Sequence, residues 1–199
     1  MNLDAAQWHA WHGATFPDES WYRDDDEQLC AIVGAPRVDL VSRERYGDFI
    51  LQFEFALPVG GNSGVFYRVP LHHLCQGFSQ PRAVDESAGL AWHSGPEMQL
   101  LDDAVHPDGE EPTTRNGALY GLLAPEQETR IEPGSFMHAA LVVRQGTVEH
   151  WLGNRLVLSY RLDDPALHTS LAGCLGVLER YDEALALLDH LRGKRSQQR

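Results

Sequence analysis

Arg68, Glu97, Gln99, Asp102 and His106 are the residues whose types and spacing could do chemistry on a polyol. Glu97 and Gln99 stand two apart, the spacing that puts both side chains on one face of an extended strand. With Arg68 on a neighbouring strand they would form a polar floor. Guanidinium and amide groups offer paired hydrogen bonds to vicinal hydroxyls, and an aromatic ring suits the apolar face of a sugar. Tyr120, Trp92 and Trp151 are the aromatic candidates. Asp102 and His106 follow the Glu97 strand closely enough to overhang such a floor. The same spacing also fits an Arg68–Glu97 ion pair on a solvated sheet face, where such pairs contribute little. Residue types alone leave both readings open.

The elements that would carry these residues are mostly strands. In 49–57, Phe49, Leu51, Phe53, Phe55 and Leu57 alternate with positions that include Gln52 and Glu54. That period of two marks a half-buried strand, and Pro58, Gly60 and Gly61 stop it. A second strand over 65–68, after the turn 61–64, reads as the other arm of a hairpin. Residues 97–101 and 117–122 are further strand candidates, separated by a polar loop over 102–116. Short strands over 139–144, 148–152 and 156–162 follow, with Gln145-Gly146 and Gly153-Asn154 as the turns between them. Near-regular short strands with glycine turns predict an all-β sandwich or barrel. Residues 4–11 read as a short helix. The acidic run 24–27 reads as a solvated turn, because it lacks the alternating ligands and glycine of a hard-cation loop. The stretch 70–96 reads as a long loop, of the kind that often carries function. After a strand-like 175–178, the run 183–191 fits either a helix or a closing strand. One domain over 1–192 and a disordered tail over 193–199 are expected.

Composition excludes several function classes. The chain has 199 residues, 43% of them hydrophobic, and a net charge of -13. That charge argues against nucleic acid and against an anionic membrane surface as partners. Cys30, Cys75 and Cys174 form no zinc spacing, and an odd number argues against a disulfide framework. The first residues lack the basic start and apolar run of a signal peptide, and no stretch approaches the roughly 20 apolar residues of a membrane span. A cytoplasmic location is therefore expected. His72, His73 and His93 could ligate a metal, but adjacent histidines on a strand point to opposite faces and seldom share one ion. No cofactor is expected, and a divalent metal stays open without support from ligand spacing. No GxSxG elbow, HExxH helix or phosphate loop is present.

Several motifs in register resemble the 3-keto-disaccharide hydrolase domain family, long catalogued as a domain of unknown function. They are Tyr46-Gly47-Asp48-Phe49, GGNSGVFYR over 60–68, GPEMQLLDD over 95–103, His106-Pro107-Asp108-Gly109, NGALYGLLAP over 116–125 and VEHWL over 148–152. The resemblance implies a concanavalin A-like jelly-roll β-sandwich with long loops over a concave face. It implies a carbohydrate or glycoside ligand, and adds Asn62 and His150 to the substrate-binding candidates. Enzymes similar to this family act on glycosides oxidised at C3 of the sugar. The ketone acidifies the C2 proton, a base removes it, the C1 aglycone is eliminated, and water then adds. On that pattern Glu97 or His106 is the base, Arg68 stabilises the oxyanion, and Asp102 orients or donates. A non-catalytic carbohydrate-binding module on the same sandwich is the alternative.

The chain also departs from the family. Ser135-Phe136-Met137 stands where the family has Glu-Trp-Asn, and the late turn reads Gly153-Asn154 rather than Asn-Gly. Leu178-Glu179-Arg180-Tyr181 and Ala186-Leu187-Leu188 replace segments that carry a histidine, an arginine and amide groups in the family. Altered specificity or loss of catalysis would follow from such a rewritten wall.

Overall fold

The alternating segments build a sandwich of two β-layers. A computed structural model describes residues 4–69 and 95–167. Its strands are β1 (Trp8–Ala10), β2 (Trp21–Arg23), β3 (Leu29–Ala31), β4 (Leu40–Ser42), β5 (Phe49–Phe55), β6 (Asn62–Phe66), β7 (Glu97–Leu101), β8 (Met137–Arg144), β9 (Thr147–Leu152) and β10 (Arg155–Arg161). The larger sheet has the order β10-β9-β8-β5, all antiparallel. The β8–β9 and β9–β10 connections are two-residue turns. Gln145 and Gly146 have φ of 49° and 79°, and Gly153 and Asn154 have 54° and 63°. Those left-handed pairs match the twist of a tight hairpin.

The second layer pairs β6 with β7, and a bridge from Met98 to Leu119 extends it. Ala139, Leu141 and Val143 of β8 lie opposite Leu152, His150 and Val148 of β9. All six are fully buried. Met98, Leu100 and Leu119 close over this face from the second layer. Each buried Leu, Val or Met side chain contributes about 1.5–3 kcal/mol. Gly117 packs so closely that a Cβ there would sit 2.9 Å from both Leu152 and Val157, and its φ of 84° also favours glycine.

A buried polar clip joins the layers. The Tyr67 hydroxyl donates to His150 Nε2 at 3.0 Å, and His150 Nδ1 donates to the Gly117 carbonyl at 2.9 Å. Tyr160 hydrogen-bonds the Tyr67 hydroxyl as well. Burial holds the imidazole neutral, at a pKa of about 4.

Three sequence expectations are corrected. Residues 49–57 and 65–68 are not arms of one hairpin: β5 pairs β8, β6 pairs β7, and β6 begins earlier, at Asn62. The turn at 58–61, closed by Gly61 N to Pro58 O at 2.8 Å, carries the chain between layers. Residues 117–122 hold a single bridging residue, Leu119, because left-handed Gly117 and Gly121 flank it. At the start, a 3₁₀ turn over Ala5–Gln7 leads directly into β1, whose pairing with β4 overrides helix propensity. The acidic run does form the β2–β3 turn, with Asp24 Oδ1 accepting from the backbone of Asp26 and Gln28. The loop after β7 contains 3₁₀ turns at Pro107–Glu110 and Pro112–Thr114. The readings for 70–94 and for 168–199 lie outside the described residues, Cys75 and Cys174 among them; Cys30 is a free thiol. Among the described residues no helix is long and apolar enough to cross a membrane.

Candidate functional site

Register puts the polar candidates of β6 and β7 on one face. Asn62 lies opposite Leu101, Gly64 opposite Gln99 and Phe66 opposite Glu97, while Val65 and Met98 pair on the core side. The Glu97 carboxyl lies across Gly64, where a Cβ would overlap it. The glycine of the Asn62-Ser63-Gly64 run is thus the space the carboxylate occupies. The backbone N–H of Tyr120 donates to the Glu97 carbonyl at 3.0 Å, which fixes the tyrosine beside it.

The loop after β7 supplies the rest. His106 caps the first 3₁₀ turn, its Nδ1 accepting from Asp108 N at 3.1 Å. In a neutral ring the proton then resides on Nε2. That nitrogen is 3.5 Å from the Asn62 side-chain amide. With Nε2 as donor, the amide must present its oxygen, an orientation set by the network. The Tyr120 hydroxyl donates to Asp108 Oδ2 at 3.3 Å, and the His106 Nδ1 stands 3.9 Å from the same oxygen. Asn62, Glu97, His106, Asp108 and Tyr120 therefore form one contiguous group.

Its electrostatics favour the protonated forms of Glu97 and Tyr120. Burial, followed by the neighbouring carboxylates of Asp39 and Asp108, pushes Glu97 up to about 8. Burial and then the Asp108 charge raise the Tyr120 phenol above its ordinary value, so it stays a hydrogen-bond donor. Burial also raises Asp39. Gln99 is closed off from solvent, and neither its amide oxygen nor its nitrogen has a partner among the described residues.

Other candidates go elsewhere. Arg68 has a left-handed backbone, φ 54°, and its guanidinium pairs with Asp48 at 3.4 Å rather than with Glu97. Asp48 in turn accepts from Gln145 N in the β8–β9 turn. Asp102 is buried and committed to backbone: one oxygen accepts from Gly60 N at 2.8 Å, the other from Ala104 N at 3.3 Å. It clasps the crossover between layers. His150 is a core residue with both ring nitrogens engaged, which removes it from any substrate face. Trp151 points to the outer face of the larger sheet, where its indole donates to Glu149. Trp92, His72, His73 and His93 lie outside the described residues. Among those described, no three His, Cys, Asp or Glu side chains are placed to hold a metal ion.

Sequence reasoning missed Gly64, Asp39 and Asp108 as parts of the site. Gly64 was accessible in principle, since a glycine inside a strand signals a close approach. Asp108 stood inside a quoted motif but carried no spacing signal. Asp39 is far from Glu97 in sequence and has no local signature.

The described residues thus form a two-layer β-sandwich with an acidic, hydrogen-bonding group on one sheet face. The chain belongs to the 3-keto-alpha-glucoside-1,2-lyase-like domain family, whose model matches residues 2–191. It is similar to a 3-keto-disaccharide hydrolase of Bacteroides thetaiotaomicron, 30% identical over 128 residues. That match covers 62% of this chain and spans 42% of the length of the relative. Two crystal structures of provisionally assigned glycosyl hydrolases from Parabacteroides distasonis share the fold. One has a TM-score of 0.66 at 21% identity, covering 83% of this chain and 71% of the other. The second has a TM-score of 0.56 at 22% identity, covering 77% and 72%.

Proposed function

We propose that this chain cleaves 3-keto-glycosides or disaccharides, with Glu97 as the base. Glu97 takes the C2 proton, which the adjacent ketone makes acidic. The C–H electron pair passes into an enolate, the C1–O bond breaks, and the aglycone leaves as its alcohol after taking a proton. Water then adds to the resulting enone at C1. The observation that carries this reading is the Glu97 carboxyl, laid across Gly64 with its pKa raised to about 8 beside a phenol donor. A base is most effective when its pKa lies near the working pH. Tyr120 is suited to donate to the enolate oxygen. His106 Nε2–H, held by nothing stronger than its 3.5 Å contact to Asn62, is suited to protonate the leaving oxygen. Arg68 and Asp102 have structural partners and take no part in this scheme.

The test is a pH–rate profile on a 3-keto-glucoside. With Glu97 as base, kcat/KM climbs with pH and levels off near 8, and Glu97→Gln lowers it at least about a hundredfold, as loss of a general base does. Tyr120→Phe lowers kcat more than it raises KM. A rate that falls through pH 8 makes Glu97 the acid instead and overturns the assignment. A second reading, a non-catalytic carbohydrate-binding module, is favoured by the commitment of Arg68 and Asp102 to structural contacts. Sugar binding without turnover across a panel of 3-keto-glycosides would establish it.

A further inference from the structure

The outer face of the larger sheet carries a second polar recess that shares no residue with the Glu97 group. Glu54 and His138 are direct cross-strand partners there, on the side opposite the core residues Phe53 and Ala139. They line a cleft of about 530 Å³ together with Arg130, Glu132, Phe136 and Asn154. A smaller hollow of about 280 Å³, between Asp103 and Glu128, is also lined by Arg130. The two recesses share that arginine as a lining residue, and the larger one forms a groove. Arg130, Glu54 and Glu132 form no ion pair among the described residues. Phe136 leaves 55% of its surface exposed at the cleft. His138 Nδ1 is shut from solvent with no hydrogen-bond partner among the described residues.

The charges select the ligand. Glu54 and Glu132 disfavour an anion, and the Arg130 guanidinium offsets part of their pull on a cation. A neutral molecule that presents many hydroxyls satisfies all three, since carboxylates accept from hydroxyls and a guanidinium donates to them. Phe136 offers the apolar face of a sugar ring a surface to lie on. The larger recess alone, at about 530 Å³, falls in the range of small-molecule sites. Arg130, Glu132 and Phe136 come from one segment, the approach to β8, so the groove is set by the backbone that enters the sheet.

We propose that this groove is a second carbohydrate-binding site, which takes a neutral oligosaccharide with Phe136 as platform and Arg130, Glu54 and Glu132 as hydroxyl partners. It holds a glycan by its unreacting part and has no catalytic role. It does not depend on the chemistry assigned to Glu97.

The experiment is an amide and arginine side-chain NMR titration of the full chain with cellotetraose, maltotetraose, laminaritetraose and xylotetraose. At least one of them is expected to give saturable shifts at Arg130 and Phe136. Phe136→Ala and Arg130→Ala each weaken that binding about five- to tenfold, the usual cost of truncating an anchor. Both side chains are outside the core, and a thermal melt of each variant verifies its fold. Glu97→Gln leaves the binding unchanged. The proposal is overturned if no tetrasaccharide gives saturable shifts, if the shifts map to the Glu97 face, or if both groove variants bind as the parent does. Binding of a polyamine such as spermidine in place of the sugars overturns it too.

Discussion

Replacing Glu97 by glutamine is expected to make the protein more stable above neutral pH while removing its activity. The carboxyl releases its proton near 4.5 in a solvated chain, and in the folded protein it holds that proton up to about 8. Below pH 4.5 both states are protonated and the group is neutral in the balance. Between 4.5 and about 8 the unfolded chain ionises and the folded one does not. Stability then falls with rising pH by about 1.4 kcal/mol per pH unit. Over the whole interval this amounts to about 5 kcal/mol, and to about 2–4 kcal/mol at pH 7.5 once residual solvent access is allowed for. Glutamine has the same shape and cannot ionise.

The two proteins should therefore unfold alike near pH 4.5 and diverge steadily above it. At pH 7.5 the variant should melt roughly 5–12 °C higher, given the usual conversion for a chain of this size. Urea denaturation at half-unit pH steps measures the same difference directly. His150 runs the other way. Its folded pKa of about 4 lies below the ordinary 6.5, so its contribution is complete above 6.5 and is lost as pH falls toward 4. In the parent the two slopes oppose each other between 4.5 and 6.5. In Glu97→Gln the histidine slope is uncovered, and stability should rise through that interval and then flatten. Parallel curves for parent and variant, or a variant less stable at pH 8, would refute the placement of a protonated Glu97.

Gly64→Ala tests the space beneath the carboxyl. The added methyl meets the end of a flexible side chain rather than backbone, so the melting temperature should change little while kcat falls at least about tenfold, the scale of a displaced catalytic group. Asp102→Asn should do the reverse. A weakened acceptor for Gly60 N costs about 1–2 kcal/mol in denaturant unfolding, and kcat/KM stays within a few-fold of the parent. His150→Gln should flatten the acid limb of the stability curve and lower stability at pH 7 by about 2–4 kcal/mol, because it breaks the clip between layers.

What the sequence discloses follows from the range of the forces involved. The β8–β9–β10 meander is legible because its pairings are local and its turn residues are Gln145-Gly146 and Gly153-Asn154, with the left-handed backbone such turns require. The strand over 97–101 is legible from alternation alone. The partners of β5 and β6 are not, because a turn containing glycine serves a hairpin and a crossover equally well. What decides is the Asp102 carboxyl, 42 positions away from the Gly60 N–H it accepts. The same limit separates Glu97 and Tyr120, whose polar face could be foreseen, from Arg68 and His150, whose partners Asp48 and Tyr67 come from other strands or loops. Residue type marked both as candidates, and tertiary pairing assigned them to structure. The family motifs carried the same ambiguity, since Tyr46-Gly47-Asp48-Phe49 and the arginine of GGNSGVFYR meet in an ion pair rather than in the acidic group.

The alternation that makes β6 and β7 legible also divides their labour. On β7, Glu97 and Gln99 face the candidate site, while Met98 and Leu100 enter the core. On β6, Asn62 and Gly64 face the site and Val65 packs inward, followed by Tyr67, which reaches the buried histidine. Burying Glu97 destabilises the fold, and the residues that offset this are its immediate neighbours in sequence, pointing the other way. A shift of one residue in the β6–β7 register would exchange the two sets, exposing Met98 and driving Glu97 into the apolar interior. Asp102 sits where it can prevent that shift, at the end of β7 and bonded to the turn that starts β6. Its contribution to the site is to hold the register that keeps Glu97 over Gly64, which is why its loss should be read in stability before it is read in rate.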